Sequence, residues 1–270
     1  MEIELSVIIV NYNGVKYFKK CLDSLYQNLA GIPFEIIILD NNSNDNSLDY
    51  IKTNFPLVKL IESKTNDGFG KGNNKAVKQA KGKYLLLINN DTIVLDPLLP
   101  VLDYLKSDEK IGVVGINMVN GDRNYIPAAG NFPSVSNLFQ MKKLLEISDE
   151  FKKGSFSKSY YEVDWLGGSF LMLSNSVYHR IGGFDEDYFM YVEDVDFCKK
   201  ISDIRYKRVF LPNYSYIHFV GFTKTKNPML IKGYEIYISK HYSGINKLVI
   251  TLALKINKFV KKLKSSLGEK

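Results

Sequence analysis

The stretch Leu5-Ser6-Val7-Ile8-Ile9-Val10 decides the fold. It is β-branched at four successive positions and shows no polar–apolar alternation, so it reads as a strand buried on both faces. Strands of that kind sit in parallel sheets covered by helices. The flanking sequence agrees. From Gly14 to Leu29, the residues Tyr17, Phe18, Cys21, Leu22, Leu25 and Leu29 form one helical stripe. Phe34–Leu39 reads as a second strand, Leu48, Ile51 and Phe55 mark a second helix, and Leu57–Ile61 reads as a third strand. A helix over Phe69–Ala80 follows a glycine-rich loop, and Tyr84–Ile88 is a fourth strand. The alternation predicts an α/β fold with right-handed crossovers. The second half is less regular. It predicts helices at Pro97–Leu105, Ser174–Ile181 and Val192–Ile201. Strands are expected at Ile111–Val119, Trp165–Leu173, Tyr206–Phe210 and Tyr214–Phe219, with a long variable loop over 121–160.

Composition narrows the function classes. The chain has 270 residues, 45% of them hydrophobic and 13% aromatic, enough to bury a core and to exclude intrinsic disorder. Cys21 and Cys198 are far apart and form neither a disulfide framework nor a CxxC knuckle, which suits a reducing compartment. The net charge of +7 is concentrated at one end. Residues 245–270 hold seven lysines against Glu269, a net of +6, which leaves +1 on the other 244 residues. A nearly neutral body argues against a nucleic-acid partner. No leader sequence is read at Met1-Glu2-Ile3-Glu4, and the longest uncharged tail run, Leu248–Leu254, is far shorter than the ~20 residues of a membrane span. The expected location is cytoplasmic.

In open parallel sheets, ligands sit outside the carboxyl ends of the strands. Strand one ends in Asn11-Tyr12-Asn13-Gly14 and strand two in Asp40-Asn41-Asn42-Ser43-Asn44-Asp45. Strand three leads to Asn66-Asp67-Gly68-Phe69-Gly70-Lys71-Gly72-Asn73-Asn74, and strand four ends in Asn89-Asn90-Asp91. Any one of these ends is explained by the turn-forming habit of Asn, Asp and Gly. Four in a row make a polar rim on one sheet edge, which is a site by geometry. The GxGxxG of dinucleotide folds is missing after strand one, so a nucleotide fits better than NAD. Asp40 is placed to hold a ribose hydroxyl. Asp91, at the end of a buried strand, suits a hard cation such as Mg²⁺ or Mn²⁺; the competing reading is that it caps the turn through Thr92. Glu193 and Asp194 open a helix, as N-capping residues or as a working carboxylate pair. Asp196 is expected to pair with Lys199 or Lys200 on the solvated face.

The set Ser6–Asn13, Leu39–Ser47, Asn89-Asn90-Asp91 and Glu193-Asp194-Val195-Asp196 resembles family 2 glycosyltransferases of the GT-A fold. The resemblance covers roughly residues 4–242. Asn66–Asn74 and Trp165-Leu166-Gly167-Gly168 are similar to the rhamnosyltransferase-like branch that builds bacterial surface glycans. The resemblance implies a GT-A domain over 1–244, with a nucleotide-binding half (1–95) and an acceptor half (96–244). It also implies an inverting, metal-dependent transfer from a UDP- or dTDP-sugar, with rhamnose or galactofuranose as candidates. The acceptor would be a hydroxyl of a surface glycan or a lipid-linked glycan. Asn11, Tyr12, Asn13, Asp40 and Asn42, with Asn66, Gly70 and Asn73, would bind the donor. Asn89-Asn90-Asp91 holds the DXD position, with Asn89 a departure because an amide oxygen is a weaker ligand. Asp194 would be the catalytic base, beside Glu193. Trp165, Gly167 and Gly168 would floor the sugar site, Trp165 by stacking or, alternatively, as a core residue. His218 would add a metal ligand, or else be a satisfied core histidine. His179 and His241 join no constellation.

From Ile245, the apolar positions 245, 248, 249, 252, 256, 259, 260, 263 and 267 keep helical spacing, with lysines between them. Residues 245–270 therefore read as a basic amphipathic helix, suited to peripheral contact with an anionic membrane on the inner face. The stripe could instead pack on the body or on a second subunit in a homodimer. Two other functions fit the same residues: a degenerate transferase that only binds a sugar nucleotide or glycan, and a membrane-surface scaffold.

Overall fold

The computed structural model describes residues 2–219 and 227–266, the last helix by its backbone alone from residue 261. In chain order the first half is β1 (Leu5–Asn11), α1 (Val15–Asn28), β2 (Phe34–Asp40), α2 (Ser47–Asn54), β3 (Lys59–Glu62), α3 (Phe69–Val77), β4 (Tyr84–Ile88), β5 (Thr92–Val94) and α4 (Leu99–Lys106). Then come β6 (Ile111–Val119), β7 (Tyr125–Ile126), β8 (Ala129–Gly130), α5 (Val135–Phe139), a 3-10 turn at Met141–Leu144 and α6 (Asp149–Lys153). The chain closes with β9 (Tyr161–Glu162), β10 (Trp165–Leu166), β11 (Phe170–Ser174), α7 (Asn175–Arg180), α8 (Glu193–Asp203), β12 (Lys207–His218), α9 (Asn227–His241) and α10 (Gly244–Ser266).

The main sheet runs β3-β2-β1-β4-β11-β6-β12-β5. β1, β2, β3 and β4 are parallel, and β11 enters antiparallel between β4 and β6. The central strands are apolar on both faces because each face has its own core. Ile8, Ile37, Leu85 and Leu87 point into one cluster, beside Tyr178, Phe197, Tyr237 and Ile250. Val7, Ile9, Ile38 and Leu86 point into the other, beside Phe18, Leu22 and Leu102. The order of the first four strands puts a topological switch between β1 and β4, where a ligand crevice is expected.

Three elements differ from the sequence reading. The strand expected over Trp165–Leu173 is two strands: Trp165 and Leu166 pair with β8, and the chain re-enters the main sheet at Phe170 after Gly167-Gly168-Ser169. The two strands expected over 206–219 are one, β12, with residues 212–214 bulged out of its pairing with β6. The variable loop over 121–160 contains β7, β8, α5 and α6. Gly130 needs its bare Cα, because a Cβ there would lie 2.4 Å from the Trp165 ring and 2.3 Å from the Leu144 carbonyl oxygen.

α10 is a helix as expected, but the face that packs on the body is not the apolar stripe. Ile250, Ala253, Leu254 and Asn257 are buried. The apolar stripe stays exposed, at 67% for Leu248 and 36% for Ile256. Residues 267–270 of the expected helix lie outside the described residues.

Candidate active site

The rim over β1, β2 and β4 is a connected network. Asn11 Nδ2 donates to Asp40 Oδ2 at 2.6 Å and to Ser43 Oγ at 3.0 Å. Across the switch point, Asn90 Nδ2 donates to Asn11 Oδ1 at 2.6 Å. Asp40 Oδ1 accepts from the Ser43 backbone N–H at 2.8 Å. Asn11 and Asp40 are thus buried and engaged, and they fix the loops that carry the exposed residues. Those are Tyr12, half exposed, with Asn13 and Asn42 in left-handed backbone at φ 54° and 65°. Asn tolerates that region because its short amide bonds locally. Here Asn13 Oδ1 accepts from the Asn44 N–H at 2.8 Å. Asn66 Oδ1 accepts from the Gly68 N–H at 3.0 Å and shapes the next loop. Gly70 and Asn73 stand apart from the rim. Gly70 lets α3 meet Phe184, where a Cβ would come within 2.9 Å, and the Asn73 amide donates to the Phe69 carbonyl at 3.0 Å.

A cleft of about 620 Å³ opens beside this rim and holds the remaining chemistry. Asn89, Asp91 and His218 line one part, and Glu193 and Asp194 another. β12 ends at His218 opposite Thr92, which brings the imidazole to Asp91. His218 Nε2 lies 3.2 Å from Asp91 Oδ1 and 3.3 Å from Asn89 Nδ2. Thr92 Oγ1 itself closes the turn onto the Asn89 carbonyl at 2.7 Å, so the Asp91 carboxylate is not needed as a cap. A neutral ring offers one proton or one lone pair at Nε2, so it satisfies Asp91 or Asn89 but not both. An imidazole nitrogen, a carboxylate and an amide converging in a cleft fit a divalent cation. Among the described residues, no three His, Cys, Asp or Glu side chains gather around one point, so substrate or water oxygens would have to complete the shell.

Glu193 and Asp194 begin α8 after Tyr191 and Val192, both in left-handed backbone at φ 71° and 74°. Asp194 Oδ2 accepts from the Gly168 N–H and Oδ1 from the Val195 N–H, each at 2.9 Å. Glu193 is buried, and its Oε2 has no hydrogen-bond partner among the described residues. Burial, reinforced by the Asp194 charge, pushes the Glu193 carboxyl up to about 8. Burial also raises Asp194, against the two backbone donors. A helix N-terminus favours ionised carboxylates, but here burial wins.

Both groups ionise more easily in the unfolded chain, so stability is full below the ordinary carboxyl range and is lost as pH rises through about 8. Glu193→Gln removes that loss. The variant is expected to melt at or below the parent near pH 4 and clearly above it near pH 9. A difference in melting temperature that stays flat with pH would contradict the shifted pair.

Trp165 lines the cleft, yet only 9% of it is exposed, and its Nε1–H is tied to the Asn131 carbonyl at 2.9 Å. Little of the ring is left for a sugar. Gly167 and Gly168 line the same wall, and Gly168 supplies the N–H that holds Asp194. Asp196 is not on the solvated face. It is buried, with Oδ1 2.7 Å from His241 Nε2 and Lys200 Nζ 3.9 Å from Oδ2. His241 therefore does join a constellation, one that ties α9 to α8. Met190, Tyr191, Leu230 and Tyr234 also line the cleft, and no motif marked them.

The comparisons decide the family. The profile described as "Glycosyl transferase family 2" matches residues 6–179. The chain belongs to glycosyl transferase family 2. This glycosyltransferase is 29% identical over 223 residues to the rhamnosyltransferase WbbL of Escherichia coli K12, covering 79% of this chain and 82% of that protein. It is 25% identical over 264 residues to an N-acetylglucosaminyl-diphospho-decaprenol L-rhamnosyltransferase of Mycobacterium tuberculosis, covering 89% and 85%. Among solved structures, the mannosyltransferase PcManGT of Pyrobaculum calidifontis, in complex with GDP-Man and Mn²⁺, superposes with a TM-score of 0.63 at 16% identity, covering 98% of this chain and 76% of that one. S. aureus TarS 1–349 in complex with UDP gives 0.60 at 19% identity, covering 97% and 72%; the transferase spans 44% of the longer TarS chain. These neighbours share the GT-A fold, so the expected fold class holds.

Proposed function

We propose that this transferase moves a sugar, with inversion, from a nucleoside-diphosphate donor to a hydroxyl of a glycan or lipid-linked acceptor. The observation that carries the reading is one cleft lined both by the Asp91–His218 pair and by the raised Glu193–Asp194 pair. Inversion needs a base on the face of the sugar opposite the leaving group. Asp194 takes the acceptor proton, and its two backbone donors hold the carboxylate in one orientation for that transfer. Glu193, protonated below about 8, leaves the negative charge of the pair on Asp194. Tyr12, Asn13 and Asn42 offer the surface for the nucleoside, on loops that the buried Asn11–Asp40–Ser43 network holds in place. Asp91 and His218, with the Asn89 amide oxygen, would hold Mn²⁺ or Mg²⁺, which when bound acts as a Lewis acid on the leaving diphosphate. The rhamnosyltransferase relatives favour a dTDP- or UDP-linked deoxyhexose donor, and the relative named for a decaprenol-linked substrate favours a lipid-linked acceptor.

The test is a thermal-shift panel of UDP, dTDP, GDP and CMP, each with and without Mn²⁺. One diphosphate at about 100 times its dissociation constant is expected to add roughly 2.7 kcal/mol of stability, more with Mn²⁺ than without. Folded protein indifferent to every nucleotide would sink the donor assignment.

A further inference from the structure

α10 presents three sectors at 3.6 residues per turn. One, with Ile250, Ala253 and Leu254, is buried against the body, and Asn257 Nδ2 in the same sector donates to the Phe139 carbonyl of α5 at 2.8 Å. The second sector is apolar and exposed: Leu248, Val249, Leu252, Ile256, Phe259 and Val260. The third carries exposed Lys247, Lys255 and Lys258 and borders the apolar sector on the side away from the body. No acidic residue occurs anywhere in 244–266.

The apolar surface continues beyond α10. In α5, Val135 and Phe139 are 43% and 47% exposed, and Phe139 is the residue that Asn257 grips. Exposed Lys142 and Lys143 follow in the 3-10 turn. Met141, Lys142, Leu144 and Leu145 then line the cleft that holds Asp194. An apolar centre with a lysine border thus runs from α10 through α5 to the mouth of the cleft.

We propose that this composite face seats on an anionic lipid surface, with the apolar residues of α10 and α5 in the interface and the lysines at the headgroup phosphates. Charge selects a bilayer over a second copy of the chain, and helix length selects surface seating over spanning. The charged residues of α10 are all lysines, which matches an anionic surface, whereas a twofold contact through this face would set like charges together. Among the described residues, no helix is long and apolar enough to cross a membrane, so the stripe lies on the surface. The docking does not depend on the transfer reaction. It does place the cleft mouth beside the lipid, where a lipid-borne acceptor arrives.

The experiment is co-sedimentation of the full chain with vesicles of phosphatidylglycerol and phosphatidylcholine, and with phosphatidylcholine alone. No donor or acceptor is present, so the result is independent of catalysis. The parent is expected to bind the anionic vesicles and to be released by salt. Leu252→Glu with Phe259→Glu is expected to abolish binding. Lys255→Gln with Lys258→Gln is expected to weaken it about thirtyfold. Val135→Glu with Phe139→Glu is expected to weaken binding with α10 intact. All substituted residues are exposed, and each variant is first shown to melt as the parent does. Equal sedimentation with both vesicle types, or none, would overturn the proposal. So would a parent dimer that Leu252→Glu with Phe259→Glu converts to monomer. Unchanged binding in the α5 variant would overturn the composite face.

Discussion

Asp194→Asn is expected to lower kcat by about 10²- to 10⁴-fold, the range a positioned general base supplies, while nucleotide affinity stays at the parent value. The substitution keeps size and shape. The amide oxygen still accepts from one of the two backbone N–H groups, so only one hydrogen bond is lost, at about 1 kcal/mol of stability. It also removes the charge that helps raise Glu193, so Glu193 ionises at lower pH in the variant. The cleft therefore still contains an ionisable carboxylate. If any nearby negative charge sufficed, the variant would retain activity. If the proton must go to Asp194, kcat and kcat/KM fall together, as they do when an interaction made only in the transition state is lost. The pH profile separates the cases further. The parent rate is expected to rise as the pair gives up its proton, with an apparent midpoint that belongs to the pair. The variant is expected to lose that limb. A variant with near-parent kcat and lower stability would show that Asp194 only ties α8 to Gly168.

The sheet was legible because its signal is local. Four successive β-branched residues, Val7–Val10, identify a strand covered on both faces, and four polar strand ends identify the edge where a ligand sits. Which of those ends face outward was not legible. Asn11 and Asp40 look like contact residues, yet they are buried, because Asn11 takes its partners from two other strand ends, Asp40 and Ser43 after β2 and Asn90 after β4. The break at Gly167-Gly168 was hidden because Trp165 to Leu173 is apolar on both sides of it, and only the pairing of β10 with β8 divides the run. Asp196 looked solvated because the helix offers Lys199 and Lys200 nearby, whereas its main partner, His241, lies 45 residues away on α9. The same limit applies to α10. Periodicity gave the stripe, but the packed face is set by α5, an element with no strong pattern of its own.

Asp91→Ala is expected to abolish the strengthening of nucleoside-diphosphate binding by Mn²⁺ and to lower turnover by at least about 10²-fold, since a Lewis acid supplies several kcal/mol of charge stabilisation. Among the described residues, Asp91 is the one carboxylate in its cluster: Asn89 and Asn90 are neutral, and His218 contributes a single nitrogen. Its loss leaves a set with no formal negative charge, which a hard dication binds poorly. His218→Ala keeps the carboxylate and is expected to cost less, about tenfold, as removal of one of several groups holding the ion does. Asn89→Asp tests the departure directly. It adds a second carboxylate at the position where the family pattern has one, and it is expected to tighten the Mn²⁺ dependence while the thermal melt without metal falls through like-charge repulsion with Asp91. The measurements are nucleotide titrations with and without Mn²⁺ on all three variants, with turnover alongside. Binding in Asp91→Ala that still responds to Mn²⁺ as the parent does would place the cation elsewhere. Equal loss of binding with and without Mn²⁺ would instead mean that Asp91 works through the β4 loop, where Asn90 reaches Asn11, and not through a metal.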